Sequence, residues 1–146
     1  MKKNGNNSIL GNYTGEINTG VECLIYLFSL KVLSPNKVFL LRGNRETDDQ
    51  GYQSLREECF QKYGQEGGLV IFENLTDVFT RLPIAATIDE TVLCVNSGIP
   101  SISRPISQLN DLPKIIKNTQ KDAPLAYEVG FSSKQKKYST LITHFT

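Results

Sequence analysis

The stretch "KVFLLRGNRET", Lys37 to Thr47, decides the reading. Four consecutive apolar residues, Val38 to Leu41, suit a strand covered on both faces, as in a parallel sheet. The chain then turns polar at once, with Arg42, Gly43, Asn44, Arg45 and Glu46 in succession. In α/β folds, ligand and catalytic groups sit just past the carboxyl end of a strand. The Asn-Arg-Glu triplet is therefore a candidate site, and its neighbours decide what it can do.

Upstream, "TGVE" fits a capping box, with Thr19 at the N-cap and Glu22 three residues on. Val21, Leu24, Ile25, Phe28 and Val32 follow at helical spacing until Ser34-Pro35-Asn36 stops the run. Before that helix, "ILGNYTGEIN" reads as the end of a strand running into a glycine-bearing polar loop. Strand, helix, strand is a βαβ unit, which implies a parallel pair. Downstream, the stripe Tyr52, Leu55, Cys59 and Tyr63 predicts a second helix starting near Asp48 and ended by Gly64. A third helix is predicted after "QEGG", carrying Leu69, Phe72, Leu75, Val78, Phe79 and Leu82 up to Pro83. The bland reading of these stripes, core packing, is the one adopted. Two apolar runs, Ile84–Ile88 and Thr91–Val95, flank "DE" and predict a hairpin with a two-residue turn. The second run ends in "NSGIP", a third polar loop directly after a strand. Beyond Pro100, "SISRPISQLNDLPKIIKN" predicts only a short broken helix, and Pro113 argues against a long one.

Composition sets the outer limits. The chain has 146 residues, about one domain, with 39% hydrophobic and 21% charged residues. A formal net charge of +1 gives no case for nucleic acid or an anionic membrane, and the basic groups near Lys2 and Lys134 read as solvated ends. No apolar run approaches bilayer-spanning length, and "MKKNGNNS" shows no secretory signal. Three widely spaced cysteines (Cys23, Cys59, Cys94) without a Cys-x-x-Cys motif point to a reducing compartment. The expected location is cytoplasmic, the nucleus being the alternative.

At the three loops the sequence resembles the metal-dependent serine/threonine phosphoprotein phosphatases of the PPP family, a branch of the calcineurin-like metallophosphoesterases. The resemblance runs from Ile9 to about Pro100 and rests on three segments in order: "PNKVFLLRGN", "GYQSLREECFQKYG" and "FTRLPIAATIDETVLCV". It implies an α/β fold, a partial calcineurin-like sandwich made of a βαβ unit, two further helices and a β-hairpin. Residues 9–100 would be the middle segment of such a domain and 101–146 a divergent C-terminal tail. The family's first motif, Gly-Asp-x-His-Gly, has no counterpart in the chain, and the later metal-binding histidines find no convincing match.

The resemblance also implies a site of two divalent metals (Mn, Fe or Zn), which activates a water and clamps phosphoryl oxygens. Such a pair needs anionic carboxylates and neutral imidazoles. Asn12 stands at the position of the bridging aspartate, and an amide carries no formal charge. Gly15 stands where a second aspartate would orient the catalytic histidine. Glu16 replaces the phosphate-binding arginine and would repel a phosphate. Asn44 retains the family's asparagine ligand position. Arg45 replaces the histidine general acid, and a permanently charged guanidinium cannot cycle a proton near neutrality. Asn96, in Asn96-Ser97-Gly98, replaces a histidine ligand. No bound cofactor is expected of this chain itself.

Each of these readings has a plainer rival. Arg45 could pair with Glu16 or bind a phosphate, but a solvated or ion-paired side chain is the commoner outcome. His144, the one histidine, has no companion ligands near it in sequence. Arg42 matches the family and reads as structural, bonded to carbonyls around the loop. The expectation is an inactive relative, a pseudophosphatase acting by binding phosphoproteins or phosphatase regulatory proteins. The alternative is a metal-dependent phosphoserine/phosphothreonine phosphatase, weakly active or completed by another chain. A gene fragment without a stable product is the third possibility.

Overall fold

In the computed structural model, residues 7–14, 18–89, 91–97, 106–131 and 141–144 are described. Strand β1 (Asn7–Ile9) is followed by helix α1 (Gly20–Leu33) and strand β2 (Val38–Leu40). The two strands pair in parallel, Ile9 opposite Leu40, so the βαβ unit expected from the sequence is present. The pairing runs one step past the strands, where the Leu41 amide donates to the Ile9 carbonyl at 2.9 Å.

Coverage of β2 departs from expectation. Val38, Leu40 and Leu41 are buried, but Phe39 keeps 38% of its surface exposed. Among the described residues β2 is bonded as a ladder to β1 alone, and its other side makes a single backbone bond, Arg42 N–H to the Pro83 carbonyl at 2.8 Å. The strand is thus not sandwiched like an interior strand of a doubly covered sheet. The Lys31 ammonium lies over the Phe39 ring instead, 5.2 Å from its centroid.

Helix α1 starts where predicted, with Thr19 at its N-cap, but the Thr19 side chain makes no capping bond. The capping role falls to a distant residue, described below. Val21, Leu24 and Leu27 are buried, whereas Ile25 is 53% and Val32 80% exposed. The buried stripe is narrower than the apolar pattern, because the helix meets its neighbours along one side only.

Helix α2 (Asp48–Arg81) holds the predicted second and third helices, separated where Gly64 leaves helical geometry at φ 72°. That positive φ is cheap for glycine and costly for any other residue. The second half begins immediately, so Gly67 and Gly68 lie inside a helix rather than in a loop ahead of it. A Cβ at Gly68 would meet the Cys59 carbonyl oxygen at 2.7 Å, so a bare backbone is what lets the two halves close up. Their inner faces supply Leu55, Cys59, Leu75 and Phe79 to a core shared with α1, β2 and Tyr13. Tyr52 stacks on Phe79 at 5.9 Å between centroids and meets Phe72 edge-on. Each large apolar side chain buried here contributes roughly 1.5–3 kcal/mol of transfer free energy.

The hairpin forms from β3 (Ala85–Ile88) and β4 (Val92–Val95), antiparallel, with Ile88 opposite Val92. The turn therefore spans three residues, 89–91, not the two expected. Asp89 takes a left-handed φ of 50°, and the Thr91 amide closes back on the Ile88 carbonyl at 3.0 Å. Aspartate tolerates that conformation better than most residues, which the pattern of apolar residues could not signal.

Residues after the hairpin hold more structure than their sequence suggested. A 3-10 turn (Ile106–Asp111) leads to the short helix α3 (Thr119–Asp122), then α4 (Pro124–Phe131) and strand β5 (Leu141–His144). Strand β5 pairs antiparallel with β4, giving a three-stranded sheet in the order β3-β4-β5. Ile84, Leu93, Val95, Ile116, Ala123 and Ala126 form a second core on this sheet.

Candidate functional site

The strand ends bring the three polar loops together. Backbone meets backbone where β1 and β2 finish: a Cβ on Gly11 would lie 2.4 Å from the Gly43 Cα, and one on Gly43 would lie 2.3 Å from the Asn12 nitrogen. Only two glycines allow that approach, and Gly11 also carries a φ of 97°. Asn12 follows at a φ of 58°, a conformation asparagine tolerates better than most residues.

Glu46 locks this crossing. It is fully buried, and its carboxylate accepts from three main-chain amides: Asn12 at 2.7 Å, Tyr13 at 2.8 Å and Gly43 at 2.9 Å. Burial raises its pKa above the usual carboxylate value, with the three amide donors pulling the other way. Beside it, the Tyr13 hydroxyl donates its one proton to the Leu41 carbonyl and lies 3.2 Å from the Ile9 carbonyl, so that it sits between the ends of both strands. Burial, and then the Glu46 charge, push the Tyr13 hydroxyl well above its ordinary pKa.

Arg42 supports the crossing from behind. It is fully buried, with Nε donating to the Glu46 carbonyl at 2.8 Å and Nη1 to the Ile116 carbonyl at 2.6 Å. The structural reading of Arg42 made from sequence thus fits its contacts, and Ile116 connects the loops to the second core.

The asparagines face these same loops. Asn12 Oδ1 accepts from the Arg45 amide at 3.1 Å. Asn96, buried, accepts from the Asn44 amide at 3.2 Å through Oδ1 and donates through Nδ2 to the Leu10 carbonyl at 2.6 Å. Asn12, Asn44, Arg45 and Asn96 are therefore neighbours, as the parallel βαβ reading requires. Asn44 is exposed and Arg45 half-buried. Gly15, Glu16 and Gly98, and with Glu16 the expected Arg45–Glu16 pair, lie outside the described residues. His144 sits on β5, in register with Val92.

A two-metal cluster does not fit these residues. The side-chain oxygens at Asn12 and Asn96 are neutral amides already accepting from backbone, and the Glu46 carboxylate is spent on three amides. Among the described residues no group of three or more His, Cys, Asp or Glu side chains could hold a metal ion.

Sequence reasoning missed Glu46 and Tyr13 as organisers of the site. The local signal existed: Glu46 lies three residues after Gly43, the position from which a glutamate reaches back to an N-cap amide. Its other partners, 33 and 34 residues away, left no mark in the sequence.

Comparison with known proteins places this arrangement. Residues 1–146 match the calcineurin-like phosphoesterase family. The chain is 36% identical over 104 residues to the serine/threonine-protein phosphatase 2B catalytic subunit A2 of Saccharomyces cerevisiae, covering 70% of the chain and 17% of that protein. It is 35% identical over 104 residues to a Schizosaccharomyces pombe protein named "Putative serine/threonine-protein phosphatase", covering 68% of the chain and 32% of the relative. Among solved structures, a serine/threonine phosphatase from Saccharomyces cerevisiae with similarity to human phosphatase PP5 superposes with a TM-score of 0.69 at 28% identity. That match covers 77% of the chain and 35% of the other. The chain thus spans about a third or less of the length of these relatives. With the partial phosphoesterase fold in place and every residue within the match, the chain belongs to the calcineurin-like phosphoesterase family, metal-dependent enzymes among which its relatives are serine/threonine phosphatases.

Proposed function

We propose that this chain is a catalytically inactive phosphatase relative that acts by binding, as a decoy or scaffold toward phosphoproteins or phosphatase regulatory proteins. One observation carries the reading: the side chains at the former ligand positions, Asn12 and Asn96, spend their oxygens on the amides of the neighbouring loop. The loops keep the phosphatase layout while their polar atoms serve to hold the backbone. In this reading Arg45 replaces the proton donor with a permanently charged group, Gly15 leaves that donor without its aspartate, and Glu16 repels a phosphate. Asn44 keeps its family ligand position without companions of suitable charge. Arg45 remains the group best suited to a phosphate, through charge alone.

Location in the cytoplasm is part of the proposal. It is supported by Cys23, Cys59 and Cys94, all free thiols. Among the described residues no helix is long and apolar enough to cross a membrane.

Calorimetric titration with Mn²⁺, with p-nitrophenyl phosphate turnover followed in parallel, tests the reading. No tight binding and no turnover above buffer are expected. Two equivalents bound at about micromolar affinity, with turnover, would overturn it. One observation favours the rival enzyme reading, that another chain completes the site: the three loops do converge. The variant Asn12→Asp, Gly15→Asp, Glu16→Arg, Arg45→His, Asn96→His separates the two. It should stay inactive, because the 146-residue chain carries no Gly-Asp-x-His-Gly motif. Turnover by that variant alone would mean these loops suffice.

A further inference from the structure

Away from the polar loops, β3 forms the margin of its sheet. Among the described residues its only strand partner is β4, so alternate N–H and C=O groups along β3 face outward. A cavity of about 510 Å³ opens beside this margin, between the sheet, the C-terminal end of α2 and the segment after the 3-10 turn.

The cause is visible in the side chains. Where β4 offers Leu93 and Val95, the facing positions of β3 carry Thr87 and Ala85, which are too small to fill the space under Leu109 and Leu112. The rim is cationic. Arg81 and Lys114 line the cavity, and among the described residues no carboxylate does. Arg81 makes an exposed contact with Asp77 at 3.3 Å, the kind of surface pair that contributes little and exchanges readily.

An open strand edge, a cavity on one face of that edge, and a positive rim specify one kind of occupant. We infer that β3 takes up an extended acidic peptide from a partner protein as an added strand. Main-chain hydrogen bonds to the β3 edge hold the peptide. Alternate apolar side chains, on the face shared by Ala85 and Thr87, fill the cavity, and an acidic residue at one end reaches Arg81 or Lys114. This surface is separate from the asparagine loops, and its use does not depend on whether those loops bind metal.

The test uses the full chain and acetylated peptides of about seven residues, the usual length of a strand. One alternates valine and threonine between terminal glutamates, a second has terminal lysines, and a third is the glutamate peptide N-methylated on alternate amides. Binding is read by fluorescence anisotropy. The glutamate peptide should bind saturably, and the lysine and N-methylated peptides should bind at least about tenfold more weakly. In the doubly reversed variant Arg81→Glu, Lys114→Glu, checked for folding by circular dichroism, the preference between the glutamate and lysine peptides should invert. Absence of saturable binding by the glutamate peptide overturns the inference, as does equal binding by the N-methylated form. A dimer in light scattering that excludes the peptide would assign the edge to a second copy of this chain and overturn it equally.

Discussion

Two buried glutamates, Glu46 and Glu58, do the same job in different surroundings. Glu46 gathers three amides at the ends of β1 and β2. Glu58, on α2, accepts from the first two amides of α1, Gly20 at 2.9 Å and Val21 at 3.0 Å, and so supplies the cap that Thr19 does not. The surroundings differ in charge. Glu58 also meets the Lys62 ammonium at 2.7 Å, one helical turn away, and Lys62 in turn holds Glu22 at 2.6 Å. Among the described residues the Glu46 carboxylate has only neutral amides on it, with the Arg42 guanidinium bonded to its main-chain carbonyl instead. The lesson concerns what the fold keeps. Charged groups fix backbone geometry here, while at Asn12 and Asn96 neutral amides stand where the family resemblance implies a carboxylate and an imidazole.

The sharpest way to break the comparison is to remove each carboxylate. Glu46→Ala strands the Asn12, Tyr13 and Gly43 amides, the last two in buried bonds, and each orphaned buried donor costs roughly 1–3 kcal/mol. A loss of about 4 kcal/mol in urea unfolding is expected, with the Asn12 and Asn44 amide resonances shifting together. Glu58→Ala strands two buried amides at a helix N-terminus, one amide fewer than at Glu46, and should cost about 2 kcal/mol. Equal losses would mean that the Glu46 crossing is no more critical than an ordinary helix cap.

Neither glutamate stood out in the sequence, whereas the elements they join did. Parallel pairing of β1 and β2 was legible because a helix of matching length separates two apolar runs. Helices α1 and α2 were legible from their spacing, as was the hairpin. Phe39, Ile25 and Val32 were misplaced because apolar character alone does not tell which neighbour is present to cover it. The glycine at 68 read as part of a loop because its reason, contact with Cys59 and Phe60, lies across a helix pair. Strand β5 was invisible because its partner β4 lies more than forty residues away. Meeting of the three asparagine loops followed from topology, but the bonds among them did not. A carboxylate reaching across 34 residues to an amide has no local pattern.

A subtler probe is pH. Glu46 has its pKa raised in the folded state from an ordinary 4.5, so the folded chain holds that proton longer than the unfolded chain. Its contribution to stability is therefore greatest below that range, declines as pH rises through the interval up to the raised value, and is level above it. Unfolding free energies of the wild type and Glu46→Gln, measured from pH 4 to 7, should differ in slope in that direction. A parallel pair of curves would mean that amide bonding, not burial, governs this carboxyl.

The smallest effect is expected at Lys62. Lys62→Met keeps the apolar stem and removes only the charge. Glu58 then retains its two amides and the positive end of α1, so the cap survives and the fold loses little. Glu22 is the better reporter. Its pKa is held below the ordinary value chiefly by the hydrogen bond from Lys62, and it is the more exposed partner. A depressed carboxylate contributes stability above its unfolded pKa and loses it as pH falls through the folded value. Without Lys62, the Glu22 carboxyl resonance should titrate closer to an ordinary glutamate, and added salt should shrink the difference between wild type and variant. An unchanged Glu22 titration would show that Lys62 serves Glu58 alone, and that the contrast between the two buried glutamates rests on that single buried pair.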